Sequence, residues 1–408
     1  MATIFPFKGL RPAPELAAQV AAVPYDVVSR REAEALARDN PNSFLHVTRP
    51  EIDLGAEVAA DDARVYAQGA SALQRLEANG VLRRDETPNL YVYQLVQDGH
   101  AQTGVVLCAS VEEYDRNLVR KHEYTRPEKE DDRVRHMEVL DAQSGTVFLL
   151  HRDSEALRNI VADITAAAPA VDFLADDGVR HRLWVVADGE KIEAIVRGFH
   201  ALGPVYIADG HHRSAAAARV AHSRRTGPGP EPGSEAEKFL AVSFPASELR
   251  VLPYNRVVKD LGAHDVDSFL KAIAERFALG QGKLEPLPRH HFNMYIAGCW
   301  YHLGVPEGSY DPEDPVARLD VSLLQKQLLE PVLGIADPRR DERIDFVGGI
   351  RGDAALQARV EAGWAVAFAL HPTEVDDLLA IADAGATMPP KSTWFEPKLR
   401  DGLVVHTL

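Results

Sequence analysis

The chain has 408 residues, 46% hydrophobic and 26% charged, and 45 basic against 61 acidic side chains give a formal net charge of −16. That size and balance fit a globular protein of two or three ordinary domains, or one large body. The acidic excess argues against a nucleic-acid backbone or an anionic membrane surface as partner. Cys108 and Cys299 lie in apolar runs and read as buried free thiols, which supports neither a disulfide scaffold nor a zinc site. No leader pattern and no run of about 18 apolar residues occurs, so a cytoplasmic location is expected.

The first fifty residues are punctuated by Pro6, Pro12, Pro14, Pro24, Pro41 and Pro50. Ser29 followed by Glu32 is a capping box that predicts a helix to about Arg38. Phe44 to Thr48 reads as a short strand. Residues 57–79 carry a helical apolar stripe that ends at Asn79-Gly80. Leu90–Val96 and Gly104–Val111 are β-type runs joined by Asp98-Gly99, a hairpin signal. A charged helix follows over 127–141, a strand over 146–151, a helix over 153–167 and a strand over 182–187. A helix over 191–201 then leads into a strand at Val205–Ala208. Residues 226–234, Thr-Gly-Pro-Gly-Pro-Glu-Pro-Gly-Ser, form a loop that reads as a surface insertion. Strands are expected at 239–244, 250–258, 292–303, 344–347 and 364–370, and helices at 265–278, 316–333 and 373–384. This alternation predicts a mixed α/β (α+β) fold, divided near residue 150 or forming one body.

The most informative stretch runs from Gly203 to Arg219. Val205–Ala208 is an apolar strand, Asp209-Gly210 a turn, and the Ala-rich run after Ser214 a helix. One carboxylate, two imidazoles and one guanidinium, from Asp209, His211, His212 and Arg213, stand between strand and helix. A helix N-terminus already favours anions, and these side chains would complete a phosphate cradle.

Three other clusters bear chemistry. On the helix opened by Pro127, Glu128, Asp131 and Asp132 share one face and could hold Mg²⁺. A solvated face with ion pairs is the plainer reading of the same residues. Lys391, Ser392 and Thr393 are phosphate-binding types, without the glycines of a Walker A loop, and Trp394-Phe395 could equally pack a tail. Near the N-terminus, Asp26 follows the constrained Val23-Pro24-Tyr25 turn, and Glu32 and Glu34 lie on the first helix. No nucleophile elbow, dinucleotide fingerprint or zincin motif occurs.

Asp209-Gly210-His211-His212-Arg213 resembles the signature of the ParB/sulfiredoxin-like fold, and most closely that of its free-serine kinases. The whole chain is similar to a widespread bacterial and archaeal family of unknown function. The matching segments are Phe5–Pro12, Val23–Val28, Asn40–His46, Thr125–Arg133, Ala208–Arg213 and Met388–Thr393. The resemblance implies a ParB-like nucleotide-binding core and a small-molecule kinase that uses ATP or ADP with Mg²⁺ to make O-phosphoserine from free L-serine. By that resemblance Asp209, His211, His212 and Glu32 are catalytic candidates, with Asp209 as base or metal-side carboxylate. Gly210, His212, Arg213, Ser214, Arg126, Lys391, Ser392 and Thr393 would bind the nucleotide. Glu128, Asp131 and Asp132 would hold the metal. A phosphatase or nucleotidase using the same cradle, or a non-catalytic nucleotide-binding regulator, are the alternatives. A nucleotide and an amino acid such as serine are the expected partners, with no nucleic acid and no membrane, and a homodimer is compatible.

Overall fold

The computed structural model describes residues 2–227, 229, 231 and 233–408. The expected loop at 226–234 therefore falls partly outside the described residues, at Pro228, Pro230 and Pro232. The fold is mixed α/β and divides into two compact units, residues 1–249 with 397–408 and residues 250–396. The division expected near residue 150 falls inside the strand Val147–His151, which is hydrogen-bonded on both sides within the first unit.

The first unit is built on a nine-stranded mixed sheet. Its strands run in the order Val119–Arg120, Val205–Asp209, Val147–His151, Lys238–Pro245, His100–Ser110, Leu90–Gln97, Arg180–Val186 and Val171–Leu174, with Ile4–Phe5 also paired to His100–Ser110. The hairpin at its centre turns through Asp98 at φ 52° and Gly99 at φ 77°, the left-handed pair that a two-residue hairpin turn requires. Val147–His151 is buried along its whole length, as expected of a strand with neighbours on both edges.

Helices Pro127–Leu140 and His211–Arg224 pack against each other. The second is buried on every side along Ala215–Ala218, where four consecutive small side chains let neighbouring elements approach all around it. The last residues of the chain return to this unit. Backbone bonds tie Asp401 to Ala22 and Val405 to Leu10, and His406–Thr407 pairs with Ala142–Gln143.

The second unit is a six-stranded antiparallel sheet in the order Ala278–Gln281, Cys299–Gly304, His291–Ile296, Val366–Leu370, Tyr254–Val258 and Ile344–Gly348. Helix Gly352–Glu361 covers it through the buried Leu356.

Several expected elements differ. Phe44–Thr48 is not a strand: Leu45–Thr48 is one helical turn between an Asn-Pro turn and Pro50, with no neighbouring strand to pair with. The run 292–303 is a hairpin, because Ala297 and Gly298 both adopt positive φ, and Cys299, expected to be buried, is exposed just after that turn, while Cys108 is buried. Pro253, which has no N–H to donate, splits 250–258 into strands of two different sheets. The helix expected over 57–79 begins at Ala63, capped by Asp62. The one expected over 316–333 is a short α-helix, Asp320–Leu324, running into a π-turn. No helix among the described residues is long and apolar enough to cross a membrane.

Candidate functional site

The strand Val205–Asp209 delivers Asp209 to its C-terminal end, where the register with Val147–His151 shifts between Ile207 and Asp209. The shift re-aims the side chain at the sheet edge. Gly210 follows at φ 96°, and a Cβ there would stand 2.9 Å from the Arg213 Nε. Glycine is therefore required both for the turn and for the guanidinium folded back beneath it. Helix His211–Arg224 starts immediately after, so its N-terminal end faces the same space.

Arg213 is 3% exposed and donates from Nη1 to the Thr146 carbonyl at 2.7 Å. Its Nη2 lies 3.7 Å from Asp209 Oδ1, and Lys398 Nζ lies 3.8 Å from Asp209 Oδ2. Burial alone would raise the Asp209 pKa, but the charges of Lys398 and Arg213 overcome it and hold the carboxyl at about 2. About a third of the Asp209 side chain still reaches the surface, at 36% exposure. Arg213 Nε is a buried donor with no acceptor among the described residues.

The two histidines expected to help build a phosphate cradle have different surroundings. His211 is buried; its ring meets His122 edge-on at 4.5 Å and its Nε2 accepts from the His122 N–H at 3.4 Å. Burial, reinforced by His122, drives its pKa well below the ordinary value. His212 is half-buried and accepts the Arg126 N–H at 3.1 Å, and burial lowers its pKa too. Both are therefore neutral imidazoles at neutral pH, hydrogen-bonding groups rather than point charges. The Arg126–His212 bond also shows that the charged helix meets the Asp209–Arg213 turn, and Arg219 strengthens the join through Asp131 at 2.7 Å and Glu130 at 3.3 Å.

Further residues lie close to Arg213: Tyr25, Asp26 and Arg133 come from the Val23–Val28 and Thr125–Arg133 segments, whereas Asp401 had no motif to announce it. Arg133 stacks over the Tyr25 ring at 4.0 Å, and both line a cavity with Ser144, Gly145 and Arg213. Burial pushes the Tyr25 hydroxyl up to about 12, partly offset by Arg133. Asp401 is 1% exposed, and neither carboxylate oxygen has a hydrogen-bond partner of good geometry among the described residues. Burial raises its pKa to about 7 against the opposing pull of Arg213. A Cβ on Gly145 would come within 3.0 Å of Arg213 Cδ and 3.8 Å of Asp401 Oδ1, so this glycine leaves the room the two charges occupy. Asp26 is exposed, and its charge bears on His212, Arg213 and Asp401.

Other expected participants have different surroundings. Glu32 closes the capping box, accepting from Ser29 N–H at 2.8 Å and Ser29 Oγ at 2.7 Å. Ser214 is fully buried and its hydroxyl donates to the His211 carbonyl at 3.0 Å, so it faces the helix rather than a ligand. The three carboxylates proposed for metal do not converge. Asp131 pairs with Arg219, Asp132 accepts from Tyr66 at 3.0 Å and pairs with Arg133, and Glu128 is exposed. Among the described residues no group of three His, Cys, Asp or Glu is arranged to hold a metal ion. Lys391, Ser392 and Thr393 belong to the second unit. In the first unit Arg213, whose Nε is a buried donor without an acceptor among the described residues, Arg133, Lys398 and the exposed Arg126 are the cations that a phosphate-bearing ligand would require.

The fold and site define a mixed α/β protein with a charged cluster where the strand Val205–Asp209 meets the helix His211–Arg224, beside a small cavity lined by Arg133 and Arg213. The chain belongs to the family described as protein of unknown function (DUF1015), whose model matches residues 4–322. No curated protein matches it. Among solved structures it is similar to a free serine kinase in complex with AMP, at 11% identity and TM-score 0.35 over 72% of this chain and 86% of that one. It is also similar to a conserved hypothetical protein from Pyrococcus furiosus, at 11% identity and TM-score 0.35 over 73% and 93%. A third likeness is SbnI from Staphylococcus aureus, truncated at its C-terminus, at 10% identity and TM-score 0.37 over 73% and 86%.

Proposed function

We propose that the first unit is a cytoplasmic phosphotransferase that moves a phosphoryl group from ATP or ADP to the hydroxyl of a small amino acid, with free L-serine as the first acceptor to test. The observation that carries this reading is Asp209, kept ionised between Lys398 and Arg213 at a helix N-terminus. Phosphoryl transfer needs positioned phosphates, neutralised charge and an acceptor for the hydroxyl proton. Arg126, His212 and the helix N-terminus would bind the donor's phosphates, with Arg213 and Arg133 as fixed positive charge behind them.

A carboxylate with a pKa near 2 is a poor proton acceptor but stays charged at every working pH. Asp209 is therefore better suited to holding Mg²⁺, which would neutralise the transferring phosphate. Exposed Asp26 would take the hydroxyl proton. A new P–O bond forms to the acceptor oxygen as the bond to the leaving nucleotide breaks.

Phosphorus NMR of the protein with Mg²⁺, ATP or ADP, and L-serine is the test. A phosphomonoester resonance that requires serine is expected. Asp209→Asn should keep nucleotide binding and lose turnover, and Arg126→Ala should weaken nucleotide binding. Phosphate release that ignores serine would replace this reading with a hydrolase. Bound nucleotide without turnover would replace it with a nucleotide-binding regulator.

A further inference from the structure

Arg256 lies in the second unit on the strand Tyr254–Val258, with strands on both sides. It is 4% exposed. Its guanidinium sits over the Phe346 ring at 5.1 Å and donates to three carbonyls: Tyr254, Lys391 at 3.1 Å and Pro390 at 3.4 Å. The hydrogen bonds satisfy its N–H groups, yet they carry no negative charge. Among the described residues Arg256 is paired with no carboxylate, and burial brings its pKa down to about 9. A buried cation normally has a counter-ion, because taking a charge out of water costs several kcal/mol.

Two of the three carbonyls it grips, those of Pro390 and Lys391, belong to the segment Met388-Pro-Pro-Lys-Ser-Thr393. Lys391 stands at φ 56°, a left-handed conformation unusual for a residue with a long side chain. The turn is fixed around it: Ser392 Oγ donates to the Pro389 carbonyl at 2.6 Å, and Thr373 Oγ1 to the Ser392 carbonyl at 2.9 Å. That conformation holds the Lys391 ammonium 5.2 Å over the Tyr254 ring and 3.4 Å from its hydroxyl. Lys391 is exposed and likewise has no carboxylate partner among the described residues. Glu396, the nearest acid along the segment, accepts from Trp394 Nε1 at 2.6 Å. Two cations thus share one turn and one tyrosine, one buried and one at the surface, and among the described residues no carboxylate pairs with either.

We propose that this turn is an oxyanion site, with Lys391 and the Tyr254 hydroxyl contacting a phosphate group and Arg256 supplying fixed positive charge from below. A phosphate group suits it because a compact dianion balances both cations, whereas a carboxylate balances one. The proposal concerns the second unit alone and does not depend on the reaction assigned to the first.

The test uses the full chain, with inorganic phosphate as the probe and chloride at matched ionic strength as the reference. Phosphate at 10 mM, about the concentration that would saturate a millimolar site, should raise the melting temperature. Calorimetric phosphate affinity should fall at least about tenfold in Lys391→Gln, an exposed substitution that leaves the Arg256 contacts with backbone carbonyls intact. His212→Ala, which alters only the first unit's cradle, should retain the Lys391-dependent response. An equal phosphate response in parent and Lys391→Gln, or none in either, overturns the proposal. An acetate response as strong as that to phosphate overturns the preference for a dianion. Loss of the response in His212→Ala alone places the anion in the first unit and overturns the second-unit site. Absence of serine-dependent turnover leaves every one of these outcomes readable.

Discussion

Arg213→Met is expected to destabilise the first unit by about 3–5 kcal/mol at pH 8, the usual consequence of stripping a buried charge from its partners. The methionine would lose the bond to the Thr146 carbonyl and leave Asp209 with Lys398 as its main remaining cation. It would also leave Asp401, already raised to about 7 by burial, with less opposing charge. The loss should be smaller at pH 5. There Asp401 is protonated in the folded parent, and Asp209, freed from Arg213, moves toward protonation as well. Urea unfolding followed by circular dichroism at the two pH values measures this. A loss below about 1 kcal/mol, or one equal at both pH values, would mean that Arg213 is not the charge that holds this cluster together. Arg213→Lys should recover part of the stability, because the charge returns but the fork that reaches Thr146 does not. This burial is also why a change at Arg213 is a poor probe of nucleotide binding, and why exposed Arg126 is the better one.

The contrast between Arg213 and Asp401 shows what local sequence can reveal. The turn and helix around Arg213 are written in adjacent residues: an apolar strand, a glycine that must take positive φ, and a run of alanines. The charged helix expected over 127–141 was equally legible, because Pro127 suits a first helical turn and the helix runs from Pro127 to Leu140. Its ion pairs with Arg219 were not, because nothing within either helix says which face meets the other. Asp401 and Lys398 arrive through long-range backbone pairing, Asp401 with Ala22 and Val405 with Leu10. Such pairing leaves no periodic trace in a short C-terminal segment. The one available signal was the cluster Lys398-Leu-Arg-Asp401 set beside the apolar Leu403-Val404-Val405, polar residues where a tail was otherwise built to be buried. The hairpin at 291–304 was missed for a different reason. Its turn is Ala297-Gly298 rather than an Asn-Gly or Asp-Gly pair, and alanine at positive φ is not a turn signal.

Asp401→Asn should make the protein more stable at pH 8 while impairing phosphoryl transfer. The folded carboxyl titrates at about 7, above the ordinary carboxylate value of 3.8. Between those two values the unfolded chain has released its proton and the folded chain has not, so stability falls as pH rises through that window. Each pKa unit corresponds to about 1.4 kcal/mol, so the penalty at pH 8 is on the order of a few kcal/mol. Asparagine keeps the shape and removes the charge. The variant should therefore melt above the parent at pH 8 and with it below about pH 4. Buried histidines act in the opposite sense. His122 and His151, held near 4 by burial, make stability fall as pH drops below their ordinary value. Those terms are common to both proteins and cancel when the two pH profiles are subtracted. Asp401 is one of three carboxylates whose charge bears on Arg213, with Asp209 and Asp26, so the variant also tests whether that charge contributes to the proposed reaction. If Asp401→Asn gains stability and serine-dependent turnover is unchanged, the charge has no part in the reaction. If the variant is no more stable than the parent at pH 8, the carboxyl is better solvated than its burial implies and the cluster is held by Asp209 and Arg213 alone.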